Sequence, residues 1–342
     1  MKRVLFKFVL PWLITIVALY LAFNQTSWEM LKSHIWEVKP GYLCVAVGLT
    51  VLSYILRALR WPLLFPENAL PFGSSYRVLV LGFFMNNVLP ARAGELVRAH
   101  LGSKVLGKQR TLVLATIASE RLADGLAISL MFVVIMMGFG RGHLAAEHAD
   151  KLMWFAYLFG GVALAVIAVL LLRNKIFALT DKAALRFSHN ASTYTLSRLQ
   201  TFIHGLSPLS SPSRAVRIAL WSLVIWGVEL GVFACVSAAY SSGMPLAGVV
   251  LFLVAANFSS LIPAAPGGIG VIEFAVLTVL SSAHFASEDL AFCMATTQHL
   301  IQYLVIGIPG AFILSNLRSQ LSDMSDESQS VEAATASPRE VA

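Results

Sequence analysis

Eight ionisable residues interrupt apolar stretches of this sequence, and their types suggest the chemistry of an anion site. They are Arg92, Glu95, Arg98, Glu120, Arg121, Asp124, Glu229 and Glu273. An ionised side chain at the centre of a bilayer costs about 2.5–3.5 kcal/mol, so these residues must pair or line a wet cavity. Because the guanidinium fork matches phosphate oxygens, the arginines favour a phosphate-bearing ligand, with the acids tuning them or contacting a cationic group. The alternative is a buried network of ion pairs that only stabilises the bundle.

Helical spacing predicts partners for some of these charges. Residues three apart on a helix can pair, and the two such pairs are Glu95 with Arg98 and Arg121 with Asp124. Glu120 and Asp124 share one helix face and repel each other. They therefore need a cation from another segment, for which Arg92 and Arg98 are the candidates.

Two of the apolar runs are broken near their middles by the same pattern. Residues 86–94 read polar, polar, apolar, apolar, Pro, Ala, x, x, Gly, and residues 259–267 repeat it. Pro90 and Pro263 lie 173 residues apart, about half the chain. Helices resuming after Pro90 and after Pro266 would aim their N-termini, which attract anions, at a shared cavity. Paired interruptions of this kind mark the substrate site of inverted-repeat transporters.

The elements that carry these residues are membrane helices. The chain is 57% hydrophobic and 13% charged, against about 25% charged residues in soluble domains, which excludes a soluble protein. A bilayer core needs about 20 apolar residues per helix. Six segments meet this requirement, at 8–25, 40–59, 111–139, 153–172, 214–239 and 289–315.

The distribution of the 25 Lys and Arg residues sets the topology. Most of them collect on one face, as cytoplasmic loops require, only if both broken segments return to the side of entry. We therefore expect an all-α bundle of six spans plus two re-entrant helical hairpins, arranged as an inverted repeat with both termini in the cytoplasm. The membrane domain would cover residues 1–316, with halves 1–140 and 153–316. An interfacial amphipathic helix is expected at 181–206 and a disordered cytoplasmic tail at 317–342.

The remaining sequence features give weaker indications of function. A polar stripe in the last span includes Gln298 and His299, which would hydrogen-bond between helices or line the cavity. No motif for a metal, a nucleotide or a catalytic nucleophile is present, so we expect no cofactor and no enzyme. The excess of Lys and Arg over Asp and Glu reflects the basic loops on one side of the membrane, so we expect no nucleic-acid partner.

Three motifs in this order resemble the lysylphosphatidylglycerol synthase transmembrane-region family: residues 87–98, 120–124 and 263–273. The resemblance implies translocation of phospholipids or lipid-linked glycans between leaflets, with the motif residues along the path. The chain ends about 25 residues after its last span, so we expect a stand-alone member without the aminoacyl-transferase domain, in a bacterial inner membrane. The expected substrate-binding residues are Asn87, Pro90, Arg92, Gly94, Glu95, Arg98, Glu120, Arg121, Asp124, Pro263, Pro266, Gly267, Gly268, Glu273, Gln298 and His299.

Three functions fit these patterns. The first is a flippase or scramblase for an anionic phospholipid or lipid-linked glycan, with membrane lipids as its partners. The second is an integral-membrane lipid-modifying transferase whose acids bind a metal, and the third is an ion-coupled carrier of a small anion. The cargo, the energy source and the oligomeric state, including a homo-oligomer, stay open.

Overall fold

A computed structural model describes residues 2–67, 70–90, 93–140, 205–262 and 264–336, together with the single positions 157, 161, 168, 172 and 201. These residues form helices and loops and no strand. Their ten α-helices are α1 (Lys2–Asn24), α2 (Trp28–Trp36), α3 (Pro40–Arg60), α4 (Phe72–Val88), α5 (Gly94–Leu106), α6 (Arg110–Ile135), α7 (Pro212–Ala239), α8 (Leu246–Ser259), α9 (Val271–Ser282) and α10 (Glu288–Ala336).

Several of these helices are long and apolar enough to cross a membrane. Four single helices meet both conditions, at Pro40–Leu64, Arg110–Gly138, Pro212–Ala239 and Glu288–Asn316. A fifth candidate joins Leu10–Asn24 to Trp28–Trp36 across a bend of 84°. The all-α polytopic membrane bundle is confirmed. The expected span 153–172 and nearly all of the expected amphipathic helix 181–206 lie outside the described residues.

The outer surface of the bundle is apolar. Ile16 and Tyr20 on α1 and Ile308 and Phe312 on α10 are each more than 60% exposed. Contiguous apolar patches of this kind are rare on soluble monomers, so this surface suits contact with lipid. By contrast, α8 is buried on almost every side, as expected of a helix that is hydrophobic all round.

The first interrupted segment folds back on itself as a helical hairpin. Gly94 at the start of α5 lies against Asn86 at the end of α4, whereas Gly102 further along α5 meets Val78. The contacts therefore run in opposite order along the two helices, which makes them antiparallel. A Cβ on Gly94 would collide with backbone atoms of α4. Small residues let the two backbones approach this closely, so glycine is required at this position.

The second interrupted segment folds in the same way. Gly248 near the start of α8 lies against Phe285, just beyond the end of α9, so these helices also turn back. At about 1.5 Å per residue, the 14 residues of α8 and the 12 of α9 reach only about 20 Å each. Neither helix matches a hydrocarbon core of about 30 Å.

The two halves correspond helix by helix. Each of α3 to α6 has a counterpart among α7 to α10, whose first residue lies 173 residues later to within about five. α4 packs on α3, α5 and α10, and its counterpart α8 packs on α7, α9 and α6. The equivalent helices α3 and α7 contact each other most extensively. They run in opposite directions, because Lys39 hydrogen-bonds to Ala239 and Arg60 to Ser222. This relation is that of an inverted repeat.

The C-terminal region differs from the expectation. Helix α10 continues to Ala336, whereas composition predicts disorder over 317–342. The residues after Asn316 include Leu, Arg, Gln, Met, Glu and Ala, which have high helix propensity, and no Pro or Gly interrupts them before Pro338. A helix is therefore the local preference of this segment once the last span provides a turn from which to extend.

Candidate functional site

Asp124 of α6 is the centre of a buried cluster that joins three helices. Its carboxylate accepts hydrogen bonds from Arg57 at 3.2 Å, from both terminal nitrogens of Arg60, and from the Trp226 indole at 3.1 Å. Arg57 also donates to Glu229 Oε1 at 3.2 Å. We call these five residues the Asp124 cluster. Two arginines balance two acids in it, which explains how these charges are accommodated in the bundle.

Arg57 and Arg60 were not expected in this role. The charge distribution assigns them to the cytoplasmic face at the end of a span, but the structure buries them at 5% and 0% exposure. Their spacing of three residues puts both on one face of α3, where α6 and α7 pack. That spacing, at the end of the predicted span 40–59, is the signal that could have identified them.

A second ion pair joins α5 to α6. Arg98 donates to both oxygens of Glu120, at 3.2 and 2.8 Å, and its guanidinium lies 4.3 Å from the centre of the Trp61 ring. The prediction that Arg98 supplies a cation to Glu120 is confirmed. The predicted pairs within one helix, Glu95 with Arg98 and Arg121 with Asp124, are wrong. Bidentate contacts to a neighbouring helix satisfy the buried arginines better than a partner on the same helix can.

A cavity of about 140 Å³ lies between the two interrupted segments. This volume is enough for several water molecules or a phosphate-sized group. Its wall includes polar residues before each break, namely Asn86, Asn87, Asn257 and Ser260, and the charged residues Arg57, Arg121 and Glu229. Aromatic side chains also line it: Tyr54, Phe83, Trp226 and Tyr303. The structure therefore brings the two breaks to one polar cavity.

Two acceptor atoms of residues in the cavity wall lack a hydrogen-bond partner among the described residues. They are Glu229 Oε2 and Asn86 Oδ1, both buried. The other oxygen of Glu229 accepts from Ser53 at 2.6 Å and from Arg57. Asn86 Oδ1 lies against Gly94 of α5. Buried polar atoms are nearly always hydrogen-bonded, so Glu229 Oε2 invites a donor from water or from a ligand.

Arg121 is the more exposed of the two arginines in the wall. Its side chain is 28% exposed, lies 3.0 Å from Glu95 Oε1 and 3.7 Å from Glu120 Oε1, and covers the Phe83 ring. A guanidinium held by acids on one side and open to the cavity on the other can accept a further anion.

The second half places a histidine at the position equivalent to Arg121. His299 pairs with Glu273, 26 residues earlier, as Arg121 pairs with Glu95 over the same spacing. The imidazole Nδ1 lies 2.7 Å from Glu273 Oε1, and Nε2 lies 3.1 Å from the Gly267 carbonyl oxygen. We call residues 264–270 the second elbow. His299 thus connects α9, α10 and this elbow.

Backbone conformation shapes the second elbow. Gly267, Gly268 and Gly270 adopt φ values of +70°, +79° and +82°, which favour glycine over residues with a Cβ. A Cβ on Gly267 would also overlap the Tyr303 ring, whose hydroxyl donates to the Pro266 carbonyl at 3.0 Å. The glycines therefore allow α10 to approach the elbow closely.

The half-helix N-termini differ from the expected anion cradle. Glu95 lies in the first turn of α5 and Glu273 in that of α9. Glu273 Oε2 accepts a hydrogen bond from the Gly270 N–H at 2.7 Å. The protein's own carboxylates thus occupy positions where a helix N-terminus attracts negative charge. The positive charge facing the cavity comes from arginines instead.

The sixteen expected site residues separate into groups. Five line the cavity, namely Asn87, Arg121, Gly267, Gly268 and His299. Arg98, Glu120, Asp124 and Gln298 are buried outside its wall. Pro90, Gly94 and Glu95 lie at or just after the first break, and Pro266 and Glu273 lie in or just after the second elbow. Arg92 and Pro263 lie outside the described residues. Within the part of the chain that the structure describes, no group of three or more His, Cys, Asp or Glu side chains could hold a metal ion.

Comparison with known proteins identifies relatives in archaea. The chain is 25% identical to the glycosyltransferase AglD of Haloferax volcanii, over 93% of this chain and 56% of that protein. It thus spans little more than half the length of that relative. It is 23% identical to the UPF0104 membrane protein MJ1078 of Methanocaldococcus jannaschii, over 67% of this chain and 92% of that protein. A UPF0104 membrane protein of Methanothermobacter thermautotrophicus is 21% identical, over 84% of this chain and 88% of that protein.

These comparisons correct one expectation and confirm another. The expectation that the protein is not an enzyme is contradicted by a relative: the protein that matches 93% of the chain, and of which the chain covers 56%, is itself named a glycosyltransferase. Motifs known from soluble enzymes do not test for an activity built from membrane helices. The sequence matches the family described as "Lysylphosphatidylglycerol synthase TM region" over residues 8–310. The chain therefore belongs to the lysylphosphatidylglycerol synthase transmembrane-region family.

Proposed function

We propose that the protein moves an anionic phospholipid or lipid-linked glycan between the leaflets of a cytoplasmic membrane. The observation that carries this proposal is the partly exposed guanidinium of Arg121 in the cavity wall. Acids hold it on one side, and its 28% exposed side chain leaves room for a further anion inside an apolar bundle. A guanidinium presented in this way suits a phosphate.

The unpartnered carboxylate oxygen suggests the rest of the head group. Glu229 Oε2 needs a donor, which a glycerol hydroxyl, a sugar hydroxyl or an amine would supply. The phosphate would bind to Arg121, and a hydroxyl or amine of the same head group would bind to Glu229. A bare inorganic anion would leave this acceptor unsatisfied.

The acyl chains would stay in the bilayer. Ile262 lines the cavity and is also 45% exposed at the apolar surface, so the polar site continues into a region suited to lipid. We propose that both hairpins are re-entrant, from opposite faces of the membrane, because their helices are short and turn back. The two halves would then rock about their shared axis to open the cavity to each leaflet in turn.

Exchange of a fluorescent phosphatidylglycerol between the leaflets of proteoliposomes tests the proposal. A charge-assisted hydrogen bond contributes about 1.5–3 kcal/mol, so Arg121→Gln should slow exchange by about ten- to 100-fold. Arg217→Gln, an exposed arginine at the start of α7, is the matched control and should exchange at the parent rate. An Arg121→Gln variant that folds and exchanges lipid as fast as the parent would refute the site.

A second candidate is a lipid-linked glycosyl transferase, which the similarity to AglD favours. The four aromatic side chains of the cavity wall could stack on a sugar. Chromatography of the lipids after the same assay, with a lipid-linked sugar present, separates the two candidates. A new glycosylated product that requires the protein would support the transferase, and leaflet exchange without a product supports translocation.

A further inference from the structure

The Glu273–His299 contact restricts where protons can lie. The Gly267 carbonyl can only accept a hydrogen bond, so the His299 Nε2 atom 3.1 Å away must carry a hydrogen. Nδ1 of the same ring lies 2.7 Å from Glu273 Oε1. A neutral imidazole with its hydrogen on Nε2, facing an ionised carboxylate, would place two lone pairs against each other.

The pair must therefore hold one additional proton between Nδ1 and Oε1. Either an imidazolium donates to a carboxylate, or a protonated carboxyl donates to a neutral imidazole. In both forms the pair is neutral. Its second carboxylate oxygen accepts from the Gly270 N–H, so both residues are held in place around this one proton.

Loss of that proton must break one of two contacts. If the remaining hydrogen stays on Nε2, Nδ1 and the Glu273 carboxylate repel each other and the contact between α9 and α10 opens. If it moves to Nδ1, the Gly267 carbonyl loses its donor, and the Tyr303–Pro266 hydrogen bond is left to join the second elbow to α10. Gly267 lines the cavity, so either change reaches the site.

Few other charges face the pair. Tyr303 of α10 has its ring 4.9 Å from the imidazole, with its hydroxyl bonded to Pro266. Across the cavity stand Tyr54 and Arg57 of α3, Arg121 of α6 and Glu229 of α7. The described part of α1 contributes the neutral Thr15, which accepts from the Ala265 N–H, and α4 and α8 contribute asparagines.

We propose that the Glu273–His299 pair is a proton-binding site, and that one bound proton keeps the second elbow closed against α10. The equivalent pair in the first half, Glu95–Arg121, cannot act in this way because a guanidinium keeps its proton. Of these two equivalent pairs, the one in the second half can therefore respond to pH and the one in the first half cannot. That this proton also drives lipid movement rests on the function proposed above.

Labelling of a cysteine placed in the elbow tests the proton site without any transport. Ala264 is 2% exposed and lies in the cavity wall, so Ala264→Cys, in a background lacking the three native cysteines, reports opening to a soluble maleimide. Glu273→Gln is the matched comparison. Its amide can donate to Nδ1 while its oxygen still accepts from Gly270, so both contacts persist with no additional proton.

The ratio of labelling rates, parent over Glu273→Gln, removes the intrinsic pH dependence of the thiol. We expect this ratio to rise about tenfold per pH unit above the midpoint of the pair, the slope for release of one proton. A ratio that stays constant from about pH 5 to about pH 10 would overturn the proposal. If Glu273→Gln does not fold, the nitrogen-15 signals of His299, assigned by their loss in His299→Gln, must show the same one-proton transition. Signals that do not change with pH would also overturn it.

A pH gradient across proteoliposomes tests the coupling separately. Fluorescent phosphatidylglycerol should accumulate in one leaflet in the parent, while Glu273→Gln should show no response to the gradient. pH-dependent labelling without any lipid exchange would support the proton site and refute the proposed function. Exchange that ignores the gradient, with pH-dependent labelling intact, would refute only the coupling.

Discussion

Removing the charge of Asp124 tests whether the Asp124 cluster stabilises the bundle. Asp124→Asn keeps the shape of the side chain but leaves Arg57 and Arg60 with Glu229 as the sole remaining carboxylate of the cluster. Arg60 has no exposed surface, and Ser222 is its other hydrogen-bond partner among the described residues. The variant therefore creates a buried cation without a counter-charge.

Two estimates of the cost differ enough to be distinguished. An asparagine can still accept from two donors and loses about two hydrogen bonds, each worth about 0.6 kcal/mol between membrane helices, which gives about 1.2 kcal/mol. Breaking a buried ion pair by removing one partner costs about 3–5 kcal/mol, because the remaining charge is stranded. The complete burial of Arg60 predicts the larger value.

Unfolding in mixed micelles with increasing SDS, followed by tryptophan fluorescence, measures the free energy of unfolding. Glu37→Gln, an exposed carboxylate after α2, is the control and should change it by less than about 0.5 kcal/mol. The double variant Asp124→Asn/Arg60→Gln restores the balance of charges and should recover part of the lost stability. A loss near 1 kcal/mol for Asp124→Asn, or simple addition of the two single effects, would refute the charge argument.

Two further predictions concern the hairpins. Gly94→Ala should destabilise the protein by about 1–3 kcal/mol, because the new Cβ meets the backbone of α4. Gly125→Ala should instead be neutral or stabilise it by up to about 1 kcal/mol, since nothing lies within 4 Å; equal effects in the same SDS titration would contradict this reasoning. In sealed vesicles, single cysteines at Lys108 and Ser282 should be labelled from opposite faces of the membrane, and labelling from one face would exclude hairpins that enter from opposite sides.

The local features of this fold were predictable from the sequence, and the long-range pairs were not. The repeated pattern around Pro90 and Pro263 predicted two helical hairpins, since Pro and Gly interrupt helices wherever they occur. The ion pairs of Asp124 join residues more than 60 positions apart along the chain. Their partners depend on which helix faces pack together, and periodicity within one segment does not contain that information.

The same distinction holds for the cavity. Arg121 and His299 were predicted site residues because a polar side chain inside an apolar span is costly unless it pairs with another group or lines a cavity. Tyr54 and Trp226 were missed, since aromatic residues are ordinary in membrane helices and only packing shows that these two face the cavity. Arg98 was misplaced because its type suits phosphate equally well whether or not Glu120 already binds it.

The antiparallel contact between α3 and α7 has a consequence for how such a molecule changes shape. If the two inverted halves exchanged their conformations, the cavity would face the opposite side of the membrane. The two states would have the same energy apart from the differences in sequence between the halves. Arg57 and Glu229 occupy equivalent positions in α3 and α7 and bond to each other, so such an exchange would preserve their contact. Every other residue would take the conformation of its equivalent in the other half, so Arg121 would then experience the environment that His299 has here.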